Sequence, residues 1–482
     1  MSTKRNNGVK RKEWQIAICV ALLGISLSVI KALLAPITYD EAYTFNVFVQ
    51  LPFSEIPRDY HFPNNHILHT LLVKSLTNLF GPSTFAIRIA ALSGGILSVI
   101  FLVLILIELR ASPLALPLYS LNLAVIDYGT LARGYSLGNA FLLFGLYLLT
   151  KFSNEGASPS TWRSNLLLHS LAAISFFLSV ACVPTYAPAA TASIIAYALV
   201  SLKRVKSLPS ARPLSSITFS LAPFLVMFPA LTGVLYAAIL KDPKSFPWGY
   251  RNVMDLLNAI SSELFNLGTS LSSSIPVILS ALLLLFIVLL LIHSYRQRAY
   301  GAFIVASSIV LSVLFFSASH MFLGVLYPFA RVFLYLIPLL CIMIGYALEA
   351  FLSQRLQIAF SSLLIGVSAL SLASSFNPYL LGVWPNESAL KSLFSYIERD
   401  NHEGRIPLVC ASEQFRPSLE YAKNFLDKPK FSFIIGQDTS CIYLMKEEEV
   451  EAPLDDWLGQ ELKSTPGSHI RIWKRSLSLK KQ

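Results

Sequence analysis

The stretch that decides the fold is WQIAICVALLGISLSVIKALL, Trp14–Leu34, in which Lys31 is the only charged side chain. A helix of about 20 apolar residues is long enough to cross the hydrocarbon core of a bilayer. Basic residues precede this run, as they do in a signal peptide, but the run is too long for one and lacks a clear cleavage site. The sequence therefore predicts a retained signal anchor.

The composition extends this prediction to most of the chain. Of 482 residues, 54% are hydrophobic and 13% are charged, whereas an average soluble domain has about 25% charged residues. Apolar runs of bilayer length recur from the N-terminus to residue 375 and predict about eleven transmembrane helices. These runs are 14–34, 84–107, 112–128, 134–151, 165–182, 186–202, 215–240, 274–293, 301–319, 331–350 and 356–375.

The net charge of +11 does not indicate a nucleic-acid partner, because the basic residues cluster in short loops between the apolar runs. Such loops face the cytoplasm under the positive-inside rule. With a cytoplasmic N-terminus, the loops at Arg110 and 203–206 fall on that side. Residues 35–83, 241–273 and the tail from 376 then face the extracytoplasmic side, which we take to be that of the plasma membrane.

The tail differs in character from the rest of the chain, so the sequence predicts two domains, 1–375 and 376–482. The first is an all-α polytopic membrane domain, and the second is a small extracytoplasmic α/β domain. Short apolar runs in the tail predict strands, and one stretch predicts a helix: 406–410, 431–435, 441–445, 469–473 and, for the helix, 418–426. In an oxidising compartment, Cys410 and Cys441 form a candidate disulfide.

An acidic motif, TYDEAYT at residues 38–44, follows the first apolar run. Thr38 and Glu41 have the spacing of a capping box, which satisfies free amides at a helix start. That structural role leaves Asp40 unexplained. Carboxylates near hydrocarbon are costly and usually mark a substrate or ion site, so Asp40 is the first candidate for chemistry.

Further polar residues are predicted on the same face of the membrane. Asn65 and His66 open an apolar helix, in a loop that also holds His61 and His69. The spacing of these histidines matches no standard zinc motif. Two arginines lie beside aromatic residues at the predicted surface, Arg133 before Tyr135 and Arg331 before Tyr335. Interfacial anchoring explains such arginines, and so does phosphate binding by the guanidinium group.

Together these motifs resemble those of the GT-C superfamily of membrane glycosyltransferases, especially protein mannosyltransferases and bacterial lipid A sugar transferases. The resemblance covers roughly residues 10–375. Its four motifs are Tyr-Asp-Glu-Ala-Tyr at 39–43, Asn65-His66-Ile67-Leu68, Ala132-Arg133-Gly134-Tyr135-Ser136-Leu137, and Arg331 with Leu336-Ile337-Pro338. Two positions depart from the pattern: Ile67 stands where proline is usual, and Leu131 lies near the place of a frequent acidic residue.

The resemblance implies an inverting glycosyltransferase, with a hexosyl or pentosyl group moving from a polyprenyl phosphate-linked donor. The acceptor is a hydroxyl of a lipid, protein or glycan on the extracytoplasmic face. Asp40 is implied as the catalytic base. The implied substrate-binding residues are Glu41, Tyr43, Asn65, His66, Arg133, Tyr135 and Arg331. Some relatives use a divalent metal and others use no cofactor, so the motif leaves the metal open.

Two other functions fit a polytopic protein with a polar site. A transporter or flippase of a lipid-linked substrate is the first alternative. Transporters tend to show charges at the bilayer midplane, broken spans and repeated halves. Here the notable polar residues are predicted on one face, and the sequence shows no internal repeat. The second alternative is a non-catalytic membrane subunit that presents its tail to a partner.

Overall fold

The computed structural model describes most of the chain. The described residues are 7–59, 64–154, 162–205, 221–227, 249–260, 274–382, 384–400, 406–426, 429–436, 438, 440–447, 459–462, 464 and 468–475. The predicted span at 215–240 lies mostly outside them, and His61 lies outside them as well.

Helices account for most of the described residues. In chain order they are α1 Asn7–Leu34, α2 Tyr39–Tyr43, α3 Ile67–Phe80, α4 Thr84–Glu108, α5 Leu116–Ser120, α6 Leu123–Thr130, α7 Tyr135–Asn154, α8 Trp162–Cys182, α9 Ala187–Val205, α10 Val253–Ala259, α11 Ser274–Arg296, α12 Tyr300–Leu323, α13 Leu336–Phe351, α14 Gln354–Ser375, α15 Ser388–Arg399 and α16 Arg416–Phe425. A π-helical turn, Thr44–Val49, continues α2.

Five helical segments in the described part of the chain are long and apolar enough to cross a membrane: Lys10–Leu34, Thr84–Glu108, Pro184–Lys203, Tyr300–Leu323 and Gln354–Ser375. The chain is thus an integral membrane protein, and the count of about eleven spans stays a prediction. The run at 112–128 is not one continuous helix. It contains Pro113 and Pro117 and divides into a 3-10 turn, α5 and the start of α6, because a proline cannot donate to the preceding helical turn.

The chain divides into two compact units, and neither is one continuous stretch of sequence. The first unit comprises Met1–Ser26, Ala91–Gly129 and Gly134–Ser375. Within it α4 and α7 cross closely. A Cβ atom on Gly94 would lie 2.4 Å from the backbone nitrogen of Leu137, so only glycine permits this approach.

The second unit comprises Leu27–Ala90, Thr130–Arg133 and Phe376–Gln482. It joins the predicted outer loop to the predicted C-terminal domain, whereas the sequence placed a boundary at residue 375. The division into domains 1–375 and 376–482 stays a prediction.

The C-terminal part of this unit contains a five-stranded sheet. Its strands are β1 Leu408–Ala411, β2 Ser432–Ile435, β3 Tyr443–Glu447, β4 Gly459–Leu462 and β5 Ile470–Arg475. They lie in the order β2-β1-β3-β5-β4. β1 is parallel to β2 and β3, and β5 is antiparallel to β3 and β4. A disulfide joins Cys410 to Cys441. The predicted α/β character of the tail is therefore confirmed, although β4 and α15 were not predicted.

Two of the apolar clusters among the described residues of this unit involve α16. One packs α15 and α16 on the sheet and includes Leu393, Leu419 and Ile472. The other connects α16 to the acidic motif. There Tyr421 packs edge-on against Phe45, with ring centroids 5.1 Å apart. The C-terminal region thus forms part of the support beneath α2.

Candidate active site

Asp40 lies in the first turn of α2, whose start is fixed by the predicted capping box. The Glu41 backbone N–H donates to the Thr38 hydroxyl at 3.4 Å, and the Thr38 backbone N–H donates to Glu41 Oε2 at 2.9 Å. These reciprocal bonds satisfy free amides at the helix start. They also hold the backbone of Asp40 in a single conformation.

Glu41 forms a buried ion pair with Arg88 of α4. Arg88 Nε and Nη2 donate to the two carboxylate oxygens at 2.8 and 2.6 Å. The other guanidinium N–H groups donate to the carbonyls of residues 32, 35 and 36, so all five Arg88 donors are used. Glu41 Oε1 also accepts from the Ala132 backbone N–H at 2.7 Å. Glu41 therefore links three segments of the chain.

The Asp40 carboxylate accepts hydrogen bonds from two side chains. Asn64 Nδ2 donates to Oδ1 at 2.9 Å, and Trp384 Nε1 donates to Oδ2 at 3.3 Å. The Asp40 side chain is 11% exposed, which leaves it within reach of a small group entering from outside. The two donors fix the orientation of the carboxylate plane.

Arg133 lies beside Asp40, with 3.5 Å between Nη1 and Oδ2. Arg133 as a whole is only 3% exposed. Among the described residues, Nε and Nη1 have no hydrogen-bond partner. A buried cation with unused donors is costly unless something occupies them. This arrangement is suited to an anionic ligand, because a guanidinium group binds phosphate through paired N–H donors.

Asn65 and His66 occupy different surroundings from Asn64. Asn65 is fully buried, and its Nδ2 donates to the carbonyls of Ile56 and Asp59 at 2.8 and 2.6 Å. It therefore ties Ile56 and Asp59 to the start of α3. His66 is buried at the N-cap of α3, where its side chain does not cap the helix. The substrate contacts predicted for these two residues stay predictions, and the amide next to Asp40 belongs to Asn64.

His69 lies inside the same unit and is fully buried. Burial and, to a smaller extent, the neighbouring charge of Arg133 together lower the pKa of its ring to about 3. The ring is therefore neutral at physiological pH. It adds no positive charge to the surroundings of Arg133.

Three aromatic rings stack beside Asp40. The Tyr39 ring lies between those of Tyr43 and Trp384, with centroid distances of 6.1 and 5.3 Å. All three residues are half-buried. Tyr43, a predicted substrate-binding residue, is thus part of a partly exposed aromatic stack next to the carboxylate.

A third carboxyl group, Glu387, comes from the C-terminal region. It is 2% exposed, and its Oε1 accepts from the Tyr39 backbone N–H at 3.3 Å. Burial raises the pKa of Glu387 to about 8, with smaller contributions from the charges of Asp40 and Glu41. The charge of Glu41 is thus neutralised by Arg88, and Asp40 forms an ion pair with Arg133. Glu387, in contrast, is neutral because its carboxyl group is protonated.

Tyr135 and Arg331 belong to the other compact unit. Tyr135 begins α7 and is buried, with its ring edge-on to Tyr128 at 5.0 Å. Arg331 lies in the 3-10 turn Ala330–Phe333 and is half-buried, with its guanidinium 4.9 Å from the Phe329 ring centroid. Their predicted substrate contacts stay predictions.

In the described part of the site, the side chains around Asp40 are not arranged as ligands of a divalent metal ion. No three His, Cys, Asp or Glu side chains come together as a metal site among the residues described. In addition, both oxygens of Glu41 accept hydrogen bonds from Arg88 and backbone amides. A carboxylate held in this way is not available as a metal ligand.

Four residues of the site were not identified from the sequence: Asn64, Arg88, Trp384 and Glu387. Arg88 carried a usable signal, because an arginine inside an apolar run is costly and usually has a partner. Asn64 adjoined a predicted site residue. Trp384 and Glu387 carried no signal, since they lie 344 residues from Asp40 and 348 residues from Tyr39, their respective partners in the site.

No protein-family model and no curated protein sequence matches this chain. Solved structures do match. ArnT from Cupriavidus metallidurans in the apo state has a TM-score of 0.52 at 14% identity, covering 88% of this chain and 85% of ArnT. The same protein bound to undecaprenyl phosphate has a TM-score of 0.48 at 12% identity, and the match covers 96% of this chain and 98% of ArnT. The Archaeoglobus fulgidus oligosaccharyltransferase with zinc and sulfate has a TM-score of 0.46 at 13% identity, and the match covers 89% of this chain and 68% of that protein.

At these identities the similarity concerns the fold. The apo ArnT match spans both the helical region and the C-terminal region, because it covers 88% of the chain. The resemblance predicted from the four motifs is confirmed at this level. The chain therefore shares the GT-C fold of ArnT.

Proposed function

We propose that this protein is a glycosyltransferase that inverts the anomeric carbon of a sugar carried by a polyprenyl phosphate. The acceptor is a hydroxyl group on the extracytoplasmic face of the membrane. The observation that carries this proposal is the pairing of Asp40 with Arg133, a fixed carboxylate 3.5 Å from a buried guanidinium whose Nε and Nη1 have no hydrogen-bond acceptor among the residues described. Such a pair provides a base and an anion-binding group at one place.

Asp40 is suited to the role of base by its geometry. Asn64 and Trp384 hold its carboxylate, and the capping box holds its backbone. A base acts efficiently when it is preorganised within hydrogen-bond reach of the proton that it accepts. Its partial exposure admits the acceptor hydroxyl.

Arg133 is suited to the leaving group. In the proposed reaction the acceptor oxygen forms a bond to the anomeric carbon while the bond from that carbon to the phosphate oxygen breaks. The hydroxyl proton moves to Asp40, and the bonding electrons stay on the polyprenyl phosphate. Preorganised donors stabilise charge that develops in the transition state. The Arg133 guanidinium is suited to this role, because Nη1 lies at ion-pair distance from Asp40 and Nε has no hydrogen-bond acceptor in the described part of the chain.

The remaining residues take supporting roles in this proposal. Glu41 is assigned to positioning, because its hydrogen bonds to Arg88 and Ala132 fix α2 and the turn that carries Arg133. Tyr43 contributes to the aromatic stack on which a sugar ring can pack. Contacts of Asn65, His66, Tyr135 and Arg331 with donor or acceptor remain part of the proposal. The predicted orientation, with the N-terminus cytoplasmic and residues 376–482 extracytoplasmic, places the reaction outside the cytoplasm.

The test is sugar transfer by the purified full-length protein in detergent, with a panel of polyprenyl phosphate sugars as donors. Asp40→Asn keeps the size and hydrogen-bonding shape of the side chain but cannot accept the proton, and we expect turnover to fall by about 10²–10⁴-fold. Arg133→Lys retains the charge without the paired donors, and we expect a loss of roughly 10²-fold. Donor binding should persist in Asp40→Asn.

Arg471→Lys is the matched control, since Arg471 is an exposed residue of β5 that pairs with Glu461 at 3.8 Å. It should leave turnover unchanged. Normal turnover in Asp40→Asn would overturn the base assignment. If donors bind and cross liposome membranes but wild type never cleaves them, the protein is instead a transporter.

A further inference from the structure

The segment that leads into the C-terminal region contacts the proposed base and its helix directly. Trp384 Nε1 donates to Asp40 Oδ2 at 3.3 Å. Three residues later, Glu387 accepts from the backbone N–H of Tyr39, the first residue of α2, at 3.3 Å. Both contacts are made by the 3-10 turn Pro385–Glu387 and the residue that precedes it.

We propose that Trp384 and Glu387 are positioning residues of the active site, so that the C-terminal region completes the glycosyltransferase rather than forming an appendage. The inference rests on the proposed function of Asp40. Trp384 orients the carboxylate through its indole N–H, and Glu387 fixes the first turn of α2. Neither residue touches the bonds that change.

The hydrogen bond from Trp384 has a specific consequence for Asp40. The groups around this carboxylate are the Asn64 amide, the Arg133 guanidinium, the Trp384 indole and the Glu387 carboxyl. Of these, only Arg133 carries a positive charge. An N–H donor to a carboxylate stabilises the ionised form, so its removal should make Asp40 easier to protonate.

The stacking of Trp384 supports a role in orientation. Its ring lies on the Tyr39 ring at 5.3 Å between centroids, with 23° between the ring planes. The stack constrains the indole plane and therefore the direction of its N–H bond. Phenylalanine at position 384 preserves a stacking ring and removes the donor, which makes Trp384→Phe a clean substitution.

Glu387 acts through a backbone amide, so its acceptor oxygen matters more than its charge. The Tyr39 N–H is one of the free amides at the start of α2, and Glu387 Oε1 is its partner. Glutamine at position 387 keeps a side-chain carbonyl of the same reach. Alanine leaves the amide without this partner.

The first experiment measures kcat, the donor KM and the pH–rate profile of the full-length protein. In Trp384→Phe we expect kcat to fall roughly tenfold, as for the loss of a hydrogen bond to a charged group. The donor KM should stay within about twofold, because donor binding is assigned to Arg133. The acidic limb of the profile should move upward by roughly half a pH unit or more. Glu387→Gln should retain most of the turnover, whereas Glu387→Ala should lose it.

Trp473→Phe is the matched control. Trp473 is a buried residue of β5 that packs near the disulfide and Leu444, so its substitution perturbs the C-terminal region without touching α2. If Trp384→Phe and Trp473→Phe lower kcat equally and leave the acidic limb in place, Trp384 has a merely structural role and the proposal is wrong. Equal losses in Glu387→Gln and Glu387→Ala would overturn the role given to the Glu387 oxygen.

A second experiment does not depend on turnover. The chain has six tryptophans, and the difference in fluorescence between wild type and Trp384→Phe isolates the emission of Trp384. We expect this emission to change with pH in wild type and to lose that change in Asp40→Asn, because the indole N–H bonds to the Asp40 carboxylate. An emission that is insensitive to Asp40→Asn overturns the proposal. Absence of turnover in wild type, with a sensitive emission, refutes the proposed function alone.

Discussion

Replacement of Glu387 by glutamine should change how the stability of the protein depends on pH. Burial raises the pKa of Glu387 in the folded protein from an ordinary value of 4.5 to about 8. Between these values the folded protein holds a proton that the unfolded chain has released. Rising pH therefore favours unfolding, and this loss of stability begins near pH 4.5 and is complete near pH 8.

The magnitude follows from that interval. Each pH unit between the two pKa values is worth about 1.4 kcal/mol. The loss is thus on the order of 3 kcal/mol at pH 7 and about 5 kcal/mol above pH 8. Glutamine has a similar volume and keeps an acceptor for the Tyr39 N–H, but it carries no charge at any pH. The Glu387→Gln variant should therefore not lose stability in this way as the pH rises.

The assay is thermal unfolding of the detergent-purified protein from pH 5 to pH 9. The Tm of Glu387→Gln minus that of wild type should rise across this range by at least about 3 °C, from the unfolding entropy of a chain of this length. Other carboxyl groups titrate alike in both proteins and cancel in the difference. A difference that is flat across the range would refute the argument, because Glu387 would then ionise without penalty.

Glu413→Gln is a useful control of sign. Glu413 is an exposed residue bonded to Arg416, and that hydrogen bond lowers the pKa of Glu413. Wild type therefore loses this small contribution as pH falls, and the glutamine variant lacks it throughout. In scans extended below about pH 4.5, the difference between variant and wild type should slope weakly in the opposite direction to that of Glu387→Gln, and from pH 5 to pH 9 it should be flat.

Three other predictions, two substitutions and one reduction, follow from the second compact unit. Arg88→Ala leaves Glu41 buried without its cation and should destabilise the protein by about 3–5 kcal/mol, measured as a lower Tm. Replacement of both residues by apolar ones should recover much of this loss. An unchanged Tm in Arg88→Ala would contradict the ion pair. Reduction of the Cys410–Cys441 disulfide, which closes a loop with a sequence separation of 31, should cost about 3–4 kcal/mol and accelerate proteolysis of the C-terminal region. Phe45→Ala removes a ring that packs on α16 and should lower the free energy of unfolding by about 3–5 kcal/mol. Proteolysis is again the measurement. Equal digestion of variant and wild type would show that this cluster contributes little.

The arrangement of charge around Asp40 explains why three carboxyl groups can share one region. Glu41 is neutralised by Arg88, and Asp40 is paired with Arg133. Among the residues described, Glu387 has no cation within ion-pair distance, and its raised pKa keeps it protonated at neutral pH. Asp40 is therefore the carboxylate whose charge is least compensated, since its ion pair is long at 3.5 Å. This supports its assignment as the base.

The sequence by itself determined the features that depend on neighbouring residues. The apolar run 14–34 predicted α1, because the cost of placing polar groups in hydrocarbon acts on each segment separately. The spacing of Thr38 and Glu41 predicted the capping box, which joins residues three positions apart. Alternation and turn signals likewise predicted β1 and β2 in the tail.

Only the tertiary structure decided which polar residues meet. Glu41 pairs with a residue 47 positions away and Asp40 with one 344 positions away, and no local pattern records such partners. The structure also distinguished Asn64, which contacts Asp40, from the adjacent Asn65, which bonds to the Ile56 carbonyl. Asn64 and Asn65 are the same residue type at neighbouring positions, so the sequence does not tell them apart. Their side chains, however, leave the backbone in different directions. Long-range packing fixes those directions, and with them the identity of the residues that hold the reacting carboxylate.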